Sequence, residues 1–429
     1  MITALQRLTL SILCAGGWGC GSDAELSVSK LDAPSAVSGL QSADPALEVL
    51  PGSGDLVLSW IQGDGKTWGL YTARSRGGDG RWSSPVKVAG GPDAPGEVHP
   101  HGESSPRLVV APDERMALVW PNSITVPGRK WPAAMLRFAS SHDGGLTWSR
   151  PITLNDDTTG ALVSHQFHGA TWVGDSGLIV AWLDERDVAG PVASGTDGHA
   201  EHATEPDATI YLATSTDFGR SWSPNRVGWK AACPCCRVTL ARTPERRVVA
   251  AWRMHFPGNV RDVVTAILSE KPSEPRRVHP DDWAYAGCPH TGPALSIGRD
   301  SSTHVAWYNG KQAAVGVYYA RQANGKGTAD AVELVSGSAI GVAHPAVAAL
   351  PDGGALAAYD VSAEGVRMIR IARIGPDGRI LARGVVTGSD GGKYPQLAIL
   401  GDTAAVVAWT ATVGDGFQMR LARVTVEQR

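Results

Sequence analysis

Apolar residues in this chain fall in short alternating runs and almost nowhere at the spacing of a helix. The most regular run joins small and β-branched residues to a large aromatic one. It recurs as LVLSW ending at Trp60, MALVW at Trp120, LIVAW at Trp182, VVAAW at Trp252, THVAW at Trp307, ALAAY at Tyr359 and AVVAW at Trp409. Alternation of this kind predicts half-buried strands, and a copy every 50 to 70 residues predicts a repeat architecture.

Each copy follows another apolar strand, usually closed by an Asp or Gly turn, as in PRLVVAPDER, HPAVAALPDGG and YPQLAILGD. A third strand comes after it, such as GLYTARS, IYLATST or MRLARV, and most units add a fourth, as in WSSPVKVAG and WSRPITLND. Four short antiparallel strands per unit predict an all-β fold, a β-propeller of seven four-stranded blades. A six-bladed ring with a separate N-terminal sheet is the alternative; a β-sandwich leaves a repeat of this length unexplained. The last unit ends after MRLARVTV without a fourth strand. Residues 25–31, ELSVSKL, precede the first complete unit and are placed to supply it, which would remove an exposed edge. The expected organisation is a leader at residues 1–20, an N-terminal segment at 21–40 and the propeller at 41–429.

Two turns between third and fourth strands carry a more specific signal. SHDGGLTW (141–148) and STDFGRSW (215–222) share the pattern Ser-x-Asp-x-Gly-x-(Ser/Thr)-Trp, and SRGGDGRW (75–82) looks like a degraded third copy. A short acidic side chain can accept from the turn's own amides, Gly permits positive φ, and Trp pins the turn to its sheet. In these boxes the chain resembles the sialidase-like Asp-box (BNR repeat) propellers, as an exported bacterial member. The box is structural, so the resemblance implies the fold more than any chemistry.

The start of the chain places the protein in the cell. MITALQRLTLSILCAGGWGCGSD has one basic residue, Arg7, then an apolar stretch and small residues, the layout of a secretory signal peptide. That stretch is too short to span a bilayer. Cys20, followed by Gly21 and Ser22, resembles the acylated cysteine of bacterial lipoproteins, although Gly17-Trp18-Gly19 departs from the usual lipobox. The expectation is export to the periplasm or cell envelope, with a lipid anchor at Cys20 as the sole membrane contact. A net charge of -3 and no long run of like charges exclude a general affinity for nucleic acid, and a monomer is expected. Loss of the leader leaves Cys233, Cys235, Cys236 and Cys288 in an oxidising compartment, where an even number usually marks disulfides.

Strand alternation sends the connections into first strands, and those between second and third strands, to one face of a propeller; the Asp-boxes fall on the other. The first face collects His99, His101, His165, His168, His199, His202, His255, His290, His344 and all four mature cysteines. Loops on a rigid scaffold are where function concentrates. Thiolate and imidazole are donors for copper or zinc, so Cys233, Cys235, Cys236, Cys288, His290, His165 and His168 form a candidate metal site at the channel mouth. Read as neighbours in an extended strand, Cys235 and Cys236 point to opposite faces, leaving Cys235 toward the blade interior. Two other readings stay open. Cys288 can bridge to the ACPCCRVTL segment as a structural disulfide, with the remaining pair bridged or free. Cys233 and Cys236 also form a Cys-x-x-Cys pair, but a strand lacks the helix N-terminus that activates such pairs.

The sialidase resemblance implies a different class of function, exo-sialidase or other glycoside processing, with an arginine clamp on a carboxylate, a Tyr nucleophile and an acid. The residues on the right face are Arg107, Arg186, Arg237 and Arg253, with Asp184, Glu185 and Tyr285. The family's (Phe/Tyr)-Arg-Ile-Pro motif is absent; the nearest string is Pro106-Arg107-Leu108. The sequence thus predicts an exported propeller with a Cys/His-rich metal site acting in the cell envelope. A glycan-processing enzyme and a noncatalytic, disulfide-braced binding module are the alternatives, and the expected partners are a metal ion, a glycan or an envelope protein.

Overall fold

The computed structural model describes residues 24–426, apart from 36–37, 129–131, 158–161, 189–206, 324–329, 338–340 and 364. Cys20, His199 and His202 lie outside the described residues. The fold is all-β and propeller-type, and among the described residues the helical structure consists of short 3-10 turns such as Gly102–Ser104.

The alternating runs form antiparallel sheets in chain order. The first comprises Gln41–Val49, Leu56–Gly63, Trp68–Ser75 and Val86–Gly90; the second comprises Arg107–Val110, Met116–Pro121, Leu136–Ser141 and Ile152–Thr153. The third unit (His165–Val173, Gly177–Asp184, Ala208–Ser215, Arg226–Ala232) and the fourth (Thr239–Arg242, Val248–Phe256, Val260–Leu268, Arg276–Arg277) are joined by a single pairing of Ala232 with Met254. The fifth and sixth units begin with Ala294–Ile297 and Pro345–Ala349. The seventh holds Gly392–Leu400, Ala404–Val413 and Gly416–Thr425, and its fourth position is taken by Val28–Leu31, antiparallel to Gly416–Thr425. Ala24–Glu25 adds a parallel strand to the sixth sheet, a pairing that nothing in the alternation pattern indicates.

The aromatic that closes each repeat lies in a second strand, and Trp60, Trp120, Trp182, Trp252, Trp307, Tyr359 and Trp409 are all buried. Each anchors a hydrophobic core between two consecutive sheets. Trp120 packs with the first unit's Val57 and Ile61, and Trp182 with the second unit's Val119 and Phe138. Trp60 packs with Val406 and Leu421 of the seventh unit, which brings the two ends of the repeat together. The first strands follow the same order: each contacts the next, and Gly392–Leu400 returns to Gln41–Val49. These strands surround a cavity of about 190 Å³ on the common axis, with Glu48, Arg107, Arg237 and Gln396 among its polar lining.

The Asp-boxes are built as their sequences imply. Asp143 accepts from the Thr147 amide at 2.9 Å and its hydroxyl at 2.5 Å, while the Gly145 amide donates to Ser141 Oγ at 2.8 Å. Asp217, Ser221, Gly219 and Ser215 repeat the arrangement. The degraded copy keeps its logic: Asp79 accepts from the Arg81 amide at 2.9 Å, and Trp82 donates to the Asp32 carbonyl at 2.8 Å.

Candidate functional site at the channel mouth

The ACPCCRVTL segment connects the third and fourth units. Residues 234–236 form a turn, closed by a 3.5 Å bond from the Cys236 amide to the Cys233 carbonyl. The extended geometry expected for Cys235 and Cys236 is therefore corrected. A turn brings their sulfurs to the same side, 4.0 Å apart, and sets Cys233 Sγ 3.5 Å from Cys236 Sγ. Cys235 is bonded to Cys288, which ties this connection to the next one round the ring. Cys233 and Cys236 are buried free thiols.

Burial alone would raise both thiols. At Cys233 this is outweighed by the Cys236 hydrogen bond and by the Arg261 and Arg253 guanidiniums, which bring it down to about 6. Arg261 Nη1 donates to Cys233 Sγ at 3.0 Å. Cys236 moves the other way, raised by burial and by its neighbour Cys233. Arg261 supplies, from an adjacent hairpin, the positive charge that a helix N-terminus supplies elsewhere.

Among the described residues two groups of donors gather here: Cys233 with Cys235 and Cys236, and Cys235 with Cys288 and His290, each with its ligand atoms within 4.8 Å of one another. The disulfide takes Cys235 and Cys288 out of the expected set of thiolates while it is intact. His290 is exposed and held at a positive φ of 49°. His165 and His168 do not join the sulfur. They flank a bulge at Phe167, whose φ is 57°, in the third unit's first strand. His165 is enclosed by carboxylates, with Nδ1 2.9 Å from Asp184 and Nε2 3.1 Å from Asp157. His168 Nε2 lies 2.8 Å from the Val119 carbonyl, and burial with the nearby Arg107 charge brings it down to about 3. Two histidines three residues apart read as a donor pair, but the bulge gives each a separate partner.

The arginines expected to clamp a carboxylate are largely engaged. Arg253 is fully buried and donates to the carbonyls of Arg261, Thr291 and Tyr308. Arg237 pairs with Glu103 at 2.6 Å and donates to the Pro345 carbonyl at 3.0 Å. Arg186 bonds Asp184 and Asp156 and lies over the Tyr211 ring. Asp184 is buried under Trp182, His165 and Arg186, and Glu185 accepts from the Ser164 amide. Tyr285 is exposed and stacks on Trp283. Arg107 differs: it lines the axial cavity, and among the described residues its buried Nη2 has no hydrogen-bond partner. Burial and the Arg237 charge lower it to about 9.

Sequence reasoning missed a polar group at the centre of the mouth. Glu103, in the 3-10 turn, accepts from the amides of Arg237 and Gly292 as well as from the Arg237 side chain, so one carboxylate brackets three units. Asp44 accepts from the His101 amide at 2.6 Å, and burial raises it to about 6 against that bond. Asp360 pairs with His344 and Arg367 and accepts from the Tyr394 amide. Glu48 is open to water along the channel yet walled in by protein, and that enclosure raises it to about 7. Of these, only Glu103 lies in a loop of the face that strand alternation singles out; Asp44, Glu48 and Asp360 sit within strands, and no local pattern says which acid meets which base.

No protein-family model matches the chain, and no curated protein matches it in sequence. Solved structures do. A protein of unknown function from Dyadobacter fermentans is 15% identical, with 95% of this chain and 99% of that one covered and a TM-score of 0.52. A polysaccharide lyase described as a PL25 ulvan lyase bound to -[GlcA(1-4)Rha3S]- is 10% identical over 89% of this chain and 93% of its own, with a TM-score of 0.53. A Hadza microbial sialidase is 14% identical over 82% of this chain and 73% of its own, at a TM-score of 0.46. At such identities likeness speaks for the fold alone.

Proposed function

We propose that this chain is a seven-bladed propeller whose channel mouth holds a soft transition-metal ion, with Cys233 and Cys236 as the primary ligands. Ring closure is supported by the interlocking of every unit with the next and of the seventh with the first. The observation that carries the site is the pair of buried thiols 3.5 Å apart beneath an intact disulfide. With Cys235 and Cys288 bonded, only two thiolates are offered. Soft sulfur suits Cu(I), which is content with two such ligands, whereas a structural Zn(II) site takes four. A Cu(I) dithiolate carries one net negative charge, and a buried charge needs a partner. The Arg261 guanidinium against Cys233 provides one. Export and a cell-envelope role, read from the leader, fit copper handling outside the cytoplasm.

The test is anaerobic Cu(I) titration against a chromophoric chelator, with elemental analysis of protein purified from the periplasm. One copper per chain is expected, lost in Cys233→Ser and Cys236→Ser and retained in Cys288→Ser. No stoichiometric copper, or equal binding in Cys233→Ser, would sink the proposal. A second reading, binding of an acidic glycan, is favoured by Arg107, which lines the axial cavity and keeps a buried guanidinium nitrogen without a hydrogen-bond partner among the described residues. Release of, or affinity for, an acidic saccharide that disappears in Arg107→Ala would support it; Arg237 is the poorer probe because Glu103 already holds it.

A further inference from the structure

The four mature cysteines form a continuous series of sulfurs. Cys288 is bonded to Cys235, Cys235 Sγ is 4.0 Å from Cys236 Sγ, and Cys236 Sγ is 3.5 Å from Cys233 Sγ. The ends differ in access: Cys233 is fully buried, whereas Cys288 is only partly buried. A disulfide beside two free thiols within contact distance is a substrate for exchange, since a thiolate attacks a disulfide sulfur and displaces its partner.

We infer that the protein is a thiol–disulfide exchange relay, in which the bond moves between Cys235–Cys288 and Cys233–Cys236 and so presents a reactive thiol at Cys288. In the first step Cys236 passes its proton to the Cys233 sulfur, 3.5 Å away, and its own sulfur attacks Cys235 Sγ. The Cys235–Cys288 bond breaks, and its electron pair leaves on Cys288, which takes a proton. In the second step Cys233, its proton released, attacks Cys236 Sγ. The transient Cys235–Cys236 bond breaks, and Cys235 takes up the electron pair and a proton. One sulfur–sulfur bond and two thiols are present before and after, so no external oxidant or reductant is required. The thiol set free at Cys288 is the one an external disulfide or alkylating group can reach.

Two features of the site suit this chemistry. The turn at 234–236 gathers three sulfurs that an extended strand would scatter. Arg261, donating to Cys233 Sγ, steadies negative charge at the closed end of the series when the bond returns to Cys235–Cys288. The relay involves the same sulfurs as the metal proposal and does not depend on it, although a Cys233–Cys236 bond would close the dithiol to copper.

The experiment uses the full exported chain, stripped of metal by a chelator and held anaerobically with N-ethylmaleimide but no redox reagent. Peptide mass spectrometry then maps bonds and labels over time. The expected map gains label at Cys288 and Cys235 while a Cys233–Cys236 disulfide appears, because trapping Cys288 draws the exchange forward. In Cys236→Ser the Cys288 label should fall to background with Cys235–Cys288 intact. The wild-type map decides the matter even if that variant folds poorly. Persistence of Cys235–Cys288 in the wild type, with no label or with label at Cys233 and Cys236, would overturn the relay. Copper binding is read in a separate titration, so either proposal can fail alone.

Discussion

Glu103 is the residue whose loss should tell most about how the mouth is held. Its carboxylate is buried, lies 2.6 Å from Arg237 Nη1, and accepts the amides of Arg237 and Gly292. Glu103→Ala leaves the Arg237 guanidinium buried with the Pro345 carbonyl as its one remaining hydrogen-bond partner among the described residues and strips two amides of their acceptor. Breaking one side of a buried ion pair typically costs about 3–5 kcal/mol, most of it the penalty of the charge left behind. Arg237→Met should cost a similar amount, because Glu103 then keeps its charge without a counter-ion. The combination Glu103→Gln with Arg237→Met removes both charges and keeps an acceptor for the amides, so it should return to within about 1–2 kcal/mol of the wild type. Guanidinium unfolding followed by tryptophan fluorescence reads all of these, with stability taken from linear extrapolation. If the double variant costs the sum of Glu103→Gln and Arg237→Met measured singly, Glu103 and Arg237 are not coupled and the bracket is misread. A Glu103→Ala cost below about 1 kcal/mol would refute the argument outright.

Three further predictions concern pH and the core. Asp360 is raised by burial but brought down to about 2 by His344 and Arg367, against an ordinary 3.8; this corresponds to about 2 kcal/mol, present above about pH 4 and lost as pH falls through 2. Asp360→Asn should therefore be destabilising at pH 7 and no worse than wild type near pH 2; equal penalties at both would refute it. Asp44 has the opposite sign, since a carboxyl raised to about 6 binds its proton more tightly folded than unfolded, so stability falls by about 2 kcal/mol as pH climbs from 4 to 6. Asp44→Asn, which keeps an acceptor for the His101 amide, should flatten that slope, and an unchanged slope in pH-dependent unfolding would count against the assignment. Trp252 is fully buried with its ring centroid 4.6 Å from that of Trp229, and Trp252→Ala should cost about 3–5 kcal/mol in the same unfolding assay. A cost under 1 kcal/mol would mean that the aromatic is not the anchor described.

The strands, the aromatic anchors and the Asp-boxes were legible in the sequence because each is local. Period-two alternation, a Trp after β-branched residues and a Ser-x-Asp-x-Gly turn make their decisive contacts within one hairpin or with the next sheet. The concentration of cysteine and histidine on one face followed from strand alternation. Which of them meet did not. His165 and His168 share a motif-like spacing, yet a one-residue bulge sends them to Asp184 and to the Val119 carbonyl. The ACPCC segment read as strand, although Pro234 at the second position of the 233–236 turn is the local cue to the geometry that clusters its sulfurs.

The sequence by itself determined the kind of protein this is: an all-β repeat stitched by aromatics, with its sulfur confined to one face. Tertiary structure alone decided the chemistry of that face. Arg261 reaches Cys233 across 28 positions, Cys288 reaches Cys235 across 53, and Glu103 reaches Arg237 across 134 and Gly292 across 189. Contacts of such separation leave no periodic trace along the chain, because they arise only when successive sheets pack side by side and bring their loops to a common mouth.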